Sequence, residues 1–310
     1  MMILLLVLAI DSTSVTHIAV APHESLTVHS TTPASSLEDG GGQSVVFLPG
    51  LLGGAFGFRK VMPALAEFGH PAYAIEPLGV GTSSHPDNSD YSLDAQSDRI
   101  AAVLDTLDVA HAVIVGSNFG AAVALRLAYR HPERVAAVVL IEGGPVDRSS
   151  AGGASIAVRL APVLKIFGGR GFARRHIANA LREYSADPAW VTNAVVDAYA
   201  RPIVDDLSGA ARVLAEMGRA TVPTPLADNL WRIRQPVRLL VGAVRRHGGI
   251  ENNEIAVLRE RLPDFAADTV ANSGVYVNEE QPEAVVRTVL SLVDAARHSV
   301  AVSAAISTPR

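Results

Sequence analysis

Five short apolar runs recur along the chain: "SVVFLP" (44–49), "AYAIEP" (72–77), "HAVIVG" (111–116), "VAAVVLIEG" (135–143) and "VRLLVG" (237–242). Each is strand-length, and its residues are apolar on both alternating sets, so both faces have to be covered. Longer segments of helical period lie between them, the arrangement of a mostly parallel sheet with helices on both faces. This is an α/β chain. In "YSLDAQSDRIAAVLDTLD" the period places Leu93, Gln96, Ile100, Val103, Leu104 and Leu107 on one stripe, with Ser92 as the N-cap. Upstream, "THIAVA" and "LTVHS" read as an antiparallel edge hairpin, joined through the Gly40 to Gly42 linker to a core that begins near Ser44.

After Pro145 the strand rhythm stops. Ala-rich helical segments broken by "GGRG", Pro188, Pro202, Pro223 and Pro225 take over until about Trp231. The rhythm then resumes with "VRLLVG", a helix around Asn253 to Arg261, a weak strand near Ala267 to Val270, and a helix opened by Pro282 and running to Arg297. The expected division is therefore an amino-terminal hairpin and linker (1–43), a core in two pieces (44–144 and 232–297), an inserted helical cap (145–231) and a frayed polar tail (298–310). Apolar cap residues, among them Leu160, Val163, Leu164, Ile166, Phe167, Phe172, Trp190 and Tyr199, suit a lid over an apolar cavity or simple packing on the core.

Composition excludes several function classes. Across 310 residues the net charge is −5 and no long basic run occurs, so nucleic acid is not an expected partner. The cluster "GGRGFARRH" (168–176) reads as a solvated helix face. The chain has no cysteine, which removes disulfides, zinc thiolates and a cysteine nucleophile. The apolar start "MMILLLVLAIDSTS" falls short of the roughly 20 residues that span a bilayer. It also lacks a basic leader and carries proline just after its best cleavage site. An amino-terminal strand and a cytoplasmic protein are expected, with secretion as the alternative if residues 1–22 are a signal peptide. No cofactor or metal is implied; the expected partner is a small apolar substrate or ligand.

The stretch "VGSNFGAAVAL" runs from strand to helix through a bend that needs small residues two positions either side of its tip. Gly116 and Gly120 meet that need, so the tip is Asn118; for Ser117 to stand there, Val115 and Phe119 would have to be small. With "FLPGLLGGAFGFRKVMPAL", "IEPLGVGTSS" and "NSGVYVNEEQPEAVV" in order, the chain resembles the α/β-hydrolase superfamily from about Thr16 to Arg297. The resemblance implies a Ser-His-Asp triad, and each position departs from it. Asn118 replaces the nucleophile, Arg245 stands where the acid follows "VRLLVG", and Val275 stands where histidine follows Gly274. An amide has no lone pair that a base can turn into an attacking oxyanion.

What the resemblance leaves intact is an oxyanion hole from the N–H groups of Leu51 and Phe119, at the positive end of the helix that starts there. Asn118 would orient a bound group at the pocket floor, with Ser117, Val275, Tyr276 and Arg245 around it. Glu142 is either an acid–base group or a strand-end carboxylate bonded to backbone N–H groups. Glu76 holds its own turn. His247 is a candidate base in a flexible loop, His85 a surface residue, and Tyr276 either reaches the pocket mouth or caps the core. Three functions fit: a non-hydrolytic enzyme (cyclase, isomerase or lyase) acting on an apolar carbonyl compound, a ligand-binding pseudoenzyme, or a hydrolase whose water is activated by Glu142 or His247.

Overall fold

A computed structural model describes residues 13–33, 42–145, 169–246 and 248–306. Its strands are β1 (Thr13–Ala21), β2 (Glu24–Thr31), β3 (Ser44–Leu48), β4 (Ala72–Glu76), β5 (Ala112–Ser117), β6 (Val135–Ile141), β7 (Val237–Gly242) and β8 (Phe265–Val270). They form one sheet in the order β1-β2-β4-β3-β5-β6-β7-β8. From β4 onward every pairing is parallel, while the β1/β2 hairpin joins antiparallel on the outer side of β4.

The alternation of side chains builds two cores. Along β3, Val45 and Phe47 face a layer containing α1 (Met62–Glu67) and the carboxy-terminal helix α9 (Pro282–Ile306). Val46 and Leu48 face the opposite layer, with α2 (Leu93–Thr106), α3 (Phe119–Arg130) and α7 (Asn252–Arg261). Ser92 caps α2, its hydroxyl accepting from the Ala95 N–H at 3.2 Å. The stripe beneath it is buried from Leu93 to Leu104.

Between β6 and β7 the described residues form α4 (Gly169–Glu183), α5 (Asn193–Asp205) and α6 (Leu207–Arg219). Their own cluster, built on Ile177, Leu181, Val196, Tyr199 and Ala200, meets the core through Leu52, Phe56 and Tyr276. Two expectations need correction. Pro202 does not end its helix, which continues to Asp205; a proline near a helix end removes one hydrogen bond without stopping the last turn. The tail does not fray at residue 298, because α9 runs on through "VAVSAAI" to Ile306. Its alanines carry the helix there against the less favourable β-branched valines. The cap residues Leu160, Val163, Leu164, Ile166 and Phe167 lie outside the described residues, as do residues 1–12. Among the described residues no helix is long and apolar enough to cross a membrane.

The strand order reverses between β4-β3 and β3-β5. Chain leaving β3 therefore turns one way to reach β4, and β5 takes the other side, opening a crevice at the carboxyl ends of β3 and β5. Residues 49–51 and Asn118 lie at those two ends.

Candidate functional site

The bend between β5 and α3 is at Asn118, with φ 50° and ψ −112°. That backbone region suits glycine, and holding asparagine in it costs on the order of 1–3 kcal/mol. Sterics around it account for the flanking glycines. A Cβ on Gly120 would be driven into the Leu48 carbonyl oxygen, and one on Gly116 into the Gly120 carbonyl oxygen. A Cβ on Gly143 would lie 2.6 Å from the Asn118 carbonyl oxygen. The Asn118 N–H donates to the Ile141 carbonyl at 2.9 Å and its carbonyl accepts from Ala121 at 3.0 Å. The turn is fixed on every side.

In the stretch from residue 112 to residue 128, Asn118 is the one residue that is not buried. Ser117 lies inside β5 and is buried, so the hydroxyl is not at the tip. The Asn118 amide makes one long contact, its Nδ2 donating to Ser117 Oγ at 3.4 Å. Gly50 passes close by, a Cβ on it lying 3.5 Å from Asn118 Cβ. Among the described residues, the N–H groups of Leu51 and Phe119 find no acceptor. Two backbone donors and one amide, at the ends of β3 and β5, thus lack strong partners among the described residues.

The opposite corner differs. The Val275 N–H donates to the Tyr184 carbonyl at 2.9 Å, and the Val275 side chain is buried. A Cβ on Gly274 would strike the Tyr184 carbonyl oxygen, so the chain after α4 lies directly on this loop. Glu280, at the end of α8 (Val277–Glu280), holds the corner shut. Its carboxylate accepts from Gly274 at 2.8 Å, Ala186 at 2.7 Å and Asp187 at 2.9 Å. Tyr276 packs edge-on against Trp190 at 5.5 Å and Tyr199 at 6.4 Å. Burial raises its phenol pKa.

Glu142 adopts φ 47° at the end of β6 and is buried. Its Oε1 accepts from the Gly242 N–H at 2.6 Å and its Oε2 from the Ile250 N–H at 3.1 Å. Burial pushes its pKa up, opposed by these N–H groups and by Arg245. Arg245 Nη1 lies 3.7 Å from Glu142 Oε1, and its Nη2 donates to the Ile250 carbonyl. Arg245 thus joins Glu142 in tying β6 to the loop after β7. His247 lies outside the described residues. His85 is not a free surface residue: it is half-buried, its carbonyl accepts from Arg212 of α6 at 2.7 Å, and burial lowers its pKa.

Glu76 accepts from the Ala55 N–H at 2.8 Å, the Thr82 N–H at 2.6 Å and the Thr82 hydroxyl at 2.9 Å. It locks its own turn to the loop after β3.

One cluster escaped sequence reading. The fully buried Glu279 pairs with Arg59, lies 3.4 Å from Lys60 Nζ, and accepts from the Tyr199 hydroxyl at 2.7 Å. That hydroxyl's pKa is driven well above its ordinary value by burial and by Glu279. The adjacent pairs Arg59-Lys60 and Glu279-Glu280 were the available signal, but no spacing rule links residues 220 positions apart.

Residues 43–165 match the model of the alpha/beta hydrolase fold family. Over nine-tenths of its length the chain superposes on Cfl2 from Burkholderia cenocepacia, with a TM-score of 0.74, 22% identity and 96% of that chain covered. The chain has the α/β-hydrolase fold. Relatives in sequence are mostly hydrolases. The 2-hydroxymuconate semialdehyde hydrolase of Pseudomonas sp. (strain CF600) is 42% identical over 90 residues, which are 29% of this chain and 31% of the relative. The cis-3-alkyl-4-alkyloxetan-2-one decarboxylase of Shewanella oneidensis is 31% identical over 111 residues, 35% of each chain. The chain thus spans about a third of the length of each of these relatives. In an α/β-hydrolase fold the strand-to-helix bend is where the nucleophile stands, and here that place holds Asn118.

Proposed function

We propose that this α/β-hydrolase-fold protein is a non-hydrolytic enzyme that seats a small apolar carbonyl compound at the bend and promotes its cyclisation, isomerisation or elimination. The observation that carries this reading is the strained, part-buried Asn118 beside the N–H groups of Leu51 and Phe119, which have no acceptor among the described residues. Backbone strain persists where the surroundings over-determine it, and strained residues cluster at binding and reaction sites. The two amides and the start of α3 stabilise negative charge developing on a carbonyl or enolate oxygen. The Asn118 amide donates to and accepts from the same ligand but offers no nucleophile.

In this reading the triad is degenerate. Val275 supplies no proton relay, and Glu142 with Arg245 is a positioning pair, because its carboxylate oxygens are engaged with Gly242, Ile250 and the guanidinium. Catalysis then rests on orientation, which alone lowers a barrier by about 7 to 11 kcal/mol when the reactive pose is entropically hindered. The decarboxylase relative, named for a carbon–carbon cleavage on an alkyl-substituted lactone ring, supports such chemistry on a similar frame.

The test has two arms. A fluorophosphonate probe is expected to leave the protein unlabelled, and stoichiometric labelling at residue 117 or 118 would restore the hydrolase reading. Incubation with apolar lactones, enol esters and polyenes, followed by mass spectrometry, is expected to yield an isomer or elimination product that Asn118→Ala diminishes at least ten-fold. A ligand recovered unchanged would make the protein a binder. A product carrying an added water would make it a hydrolase.

A further inference from the structure

The two edges of the sheet are finished differently. β1 is interrupted by a bulge between Ala19 and Ala21. β8 pairs with β7 in unbroken register from Phe265 to Val270, and among the described residues no strand pairs with its other side. The ladder fixes which groups that side offers. The Val237 N–H donates to the Asp264 carbonyl and the Ala243 N–H to the Val270 carbonyl, both at 2.9 Å. Every second residue of a parallel strand bonds the same neighbour, so Asp264, Ala266, Asp268 and Val270 turn their backbones to β7. Phe265, Ala267 and Thr269 turn theirs outward, and their N–H and C=O groups have no partner among the described residues. Edge strands are ordinarily blunted by proline, lysine, a bulge or a covering element. β8 has only the single charge of Asp268.

We infer that β8 docks a second copy of this chain, whose own β8 adds antiparallel about a two-fold axis at Ala267 and continues the sheet across both protomers. Bonds form only where two outward-turned residues stand opposite each other, which pairs Phe265 with the partner's Thr269 and Ala267 with the partner's Ala267. Each such pair exchanges two bonds, giving about six across the axis. An axis at Asp268 would set that carboxylate against its own copy, a like-charge pair that opposes association. With the axis at Ala267 it faces the partner's Ala266 instead. Val270 packs toward α9, so the alternation puts Ala266 and Asp268 on that side too. There a groove of about 350 Å³ runs beside the strand, lined by Leu240, Asp268, Val270, Asn272 and Arg287 among others. Asp268 and Arg287 are its charged residues, one of each sign, and Glu283, a turn earlier on α9, is not part of the lining. The face therefore meets its own copy with balanced charge. A two-fold contact is closed, so assembly stops at the dimer. The inference rests on none of the residues at the bend and is independent of the reaction proposed above.

The full chain is to be run in sedimentation velocity from about 1 to 100 μM, where mass action draws weak self-association into view. A single step from 32.5 kDa to twice that mass is expected. Amide exchange at Phe265, Ala267 and Thr269 should slow as the dimer fills, while Ala266 and Asp268, already bonded to β7, should not change. Thr269→Pro removes an outward N–H and leaves the bonds to β7 in place, so this variant should fold and remain monomeric. The register is tested at the exposed Ala266, which faces Asp268 of the partner subunit. Ala266→Lys should tighten the dimer and Ala266→Asp loosen it, each by about two- to thirty-fold over the two symmetric pairs. These two variants alter only an exposed side chain, so they decide the question even if the proline variant fails to fold. A chain monomeric throughout, a series of larger species, a dimer that survives Thr269→Pro, or equal affinities of the two Ala266 variants would overturn the assignment. So would a monomer whose outward β8 amides are protected only when an extended peptide is added, which would give the edge to a strand of another protein.

Discussion

Two corners of the crevice, built from the same kind of strand-end loop, have opposite fates. At the β5–α3 bend, Asn118 is part-buried, its backbone is strained, and the N–H groups of Leu51 and Phe119 keep no acceptor among the described residues. At the Gly274–Val275 loop the side chain is buried, and both N–H groups are occupied by Glu280 and the Tyr184 carbonyl. Buried donors are normally satisfied within the fold, as at the second corner, so donors left without an acceptor at the first stand out. The chain after α4 has closed over the second corner and left the first open.

The largest expected effect tests whether the bend is as tightly built as its contacts imply. Gly120→Ala forces a methyl group into the Leu48 carbonyl and is expected to destabilise by about 3–5 kcal/mol in urea denaturation. Gly171→Ala, where a Cβ meets nothing within 4 Å, is the matched control and should stabilise its helix by up to about 1 kcal/mol. Equal effects at the two sites would mean the bend relaxes easily.

Next comes the closed corner. Glu280→Gln keeps one carbonyl oxygen for three N–H donors that are part-buried or exposed, so at least one of them loses its acceptor, at about 1 kcal/mol. Amide hydrogen exchange should quicken at Gly274, Ala186 and Asp187 together. Unchanged protection there would show that the seal does not depend on this carboxylate.

A change of opposite sign is expected at the open corner. Asn118→Gly removes the strain and should stabilise the protein by about 1 kcal/mol while lowering affinity for a carbonyl ligand, a stability gain at the expense of function. If stability falls instead, the amide is held in place by something other than its role at the crevice.

The smallest effect is a pH trend. Burial raises the pKa of Glu142 above its ordinary 4.5, so the folded state binds this proton more tightly than the unfolded chain does. The resulting stabilisation is complete below pH 4.5 and is lost as the pH climbs through the folded value. The stability difference, wild type minus Glu142→Gln, should therefore decline from pH 4 toward pH 7 in parallel melts. A difference that grows with pH would mean that Gly242, Ile250 and Arg245 outweigh burial.

The sheet was legible because buried parallel strands leave unbroken apolar runs, and all five runs match their strands to within two residues at each end. The position of the bend was legible for a steric reason: only Gly116 and Gly120 permit the backbone approach that Asn118 requires. Other features were beyond any local pattern. Whether Glu142 faced solvent or two backbone donors, and whether Tyr276 reached a cavity or the ring of Trp190, depended on partners about 90 to 110 positions away. The seal over Val275 and the buried Glu279 cluster likewise arise from loops that meet only after the sheet has formed. Periodicity and steric exclusion act over a few residues and are written locally; the satisfaction of a buried polar group depends on whatever the completed fold brings beside it.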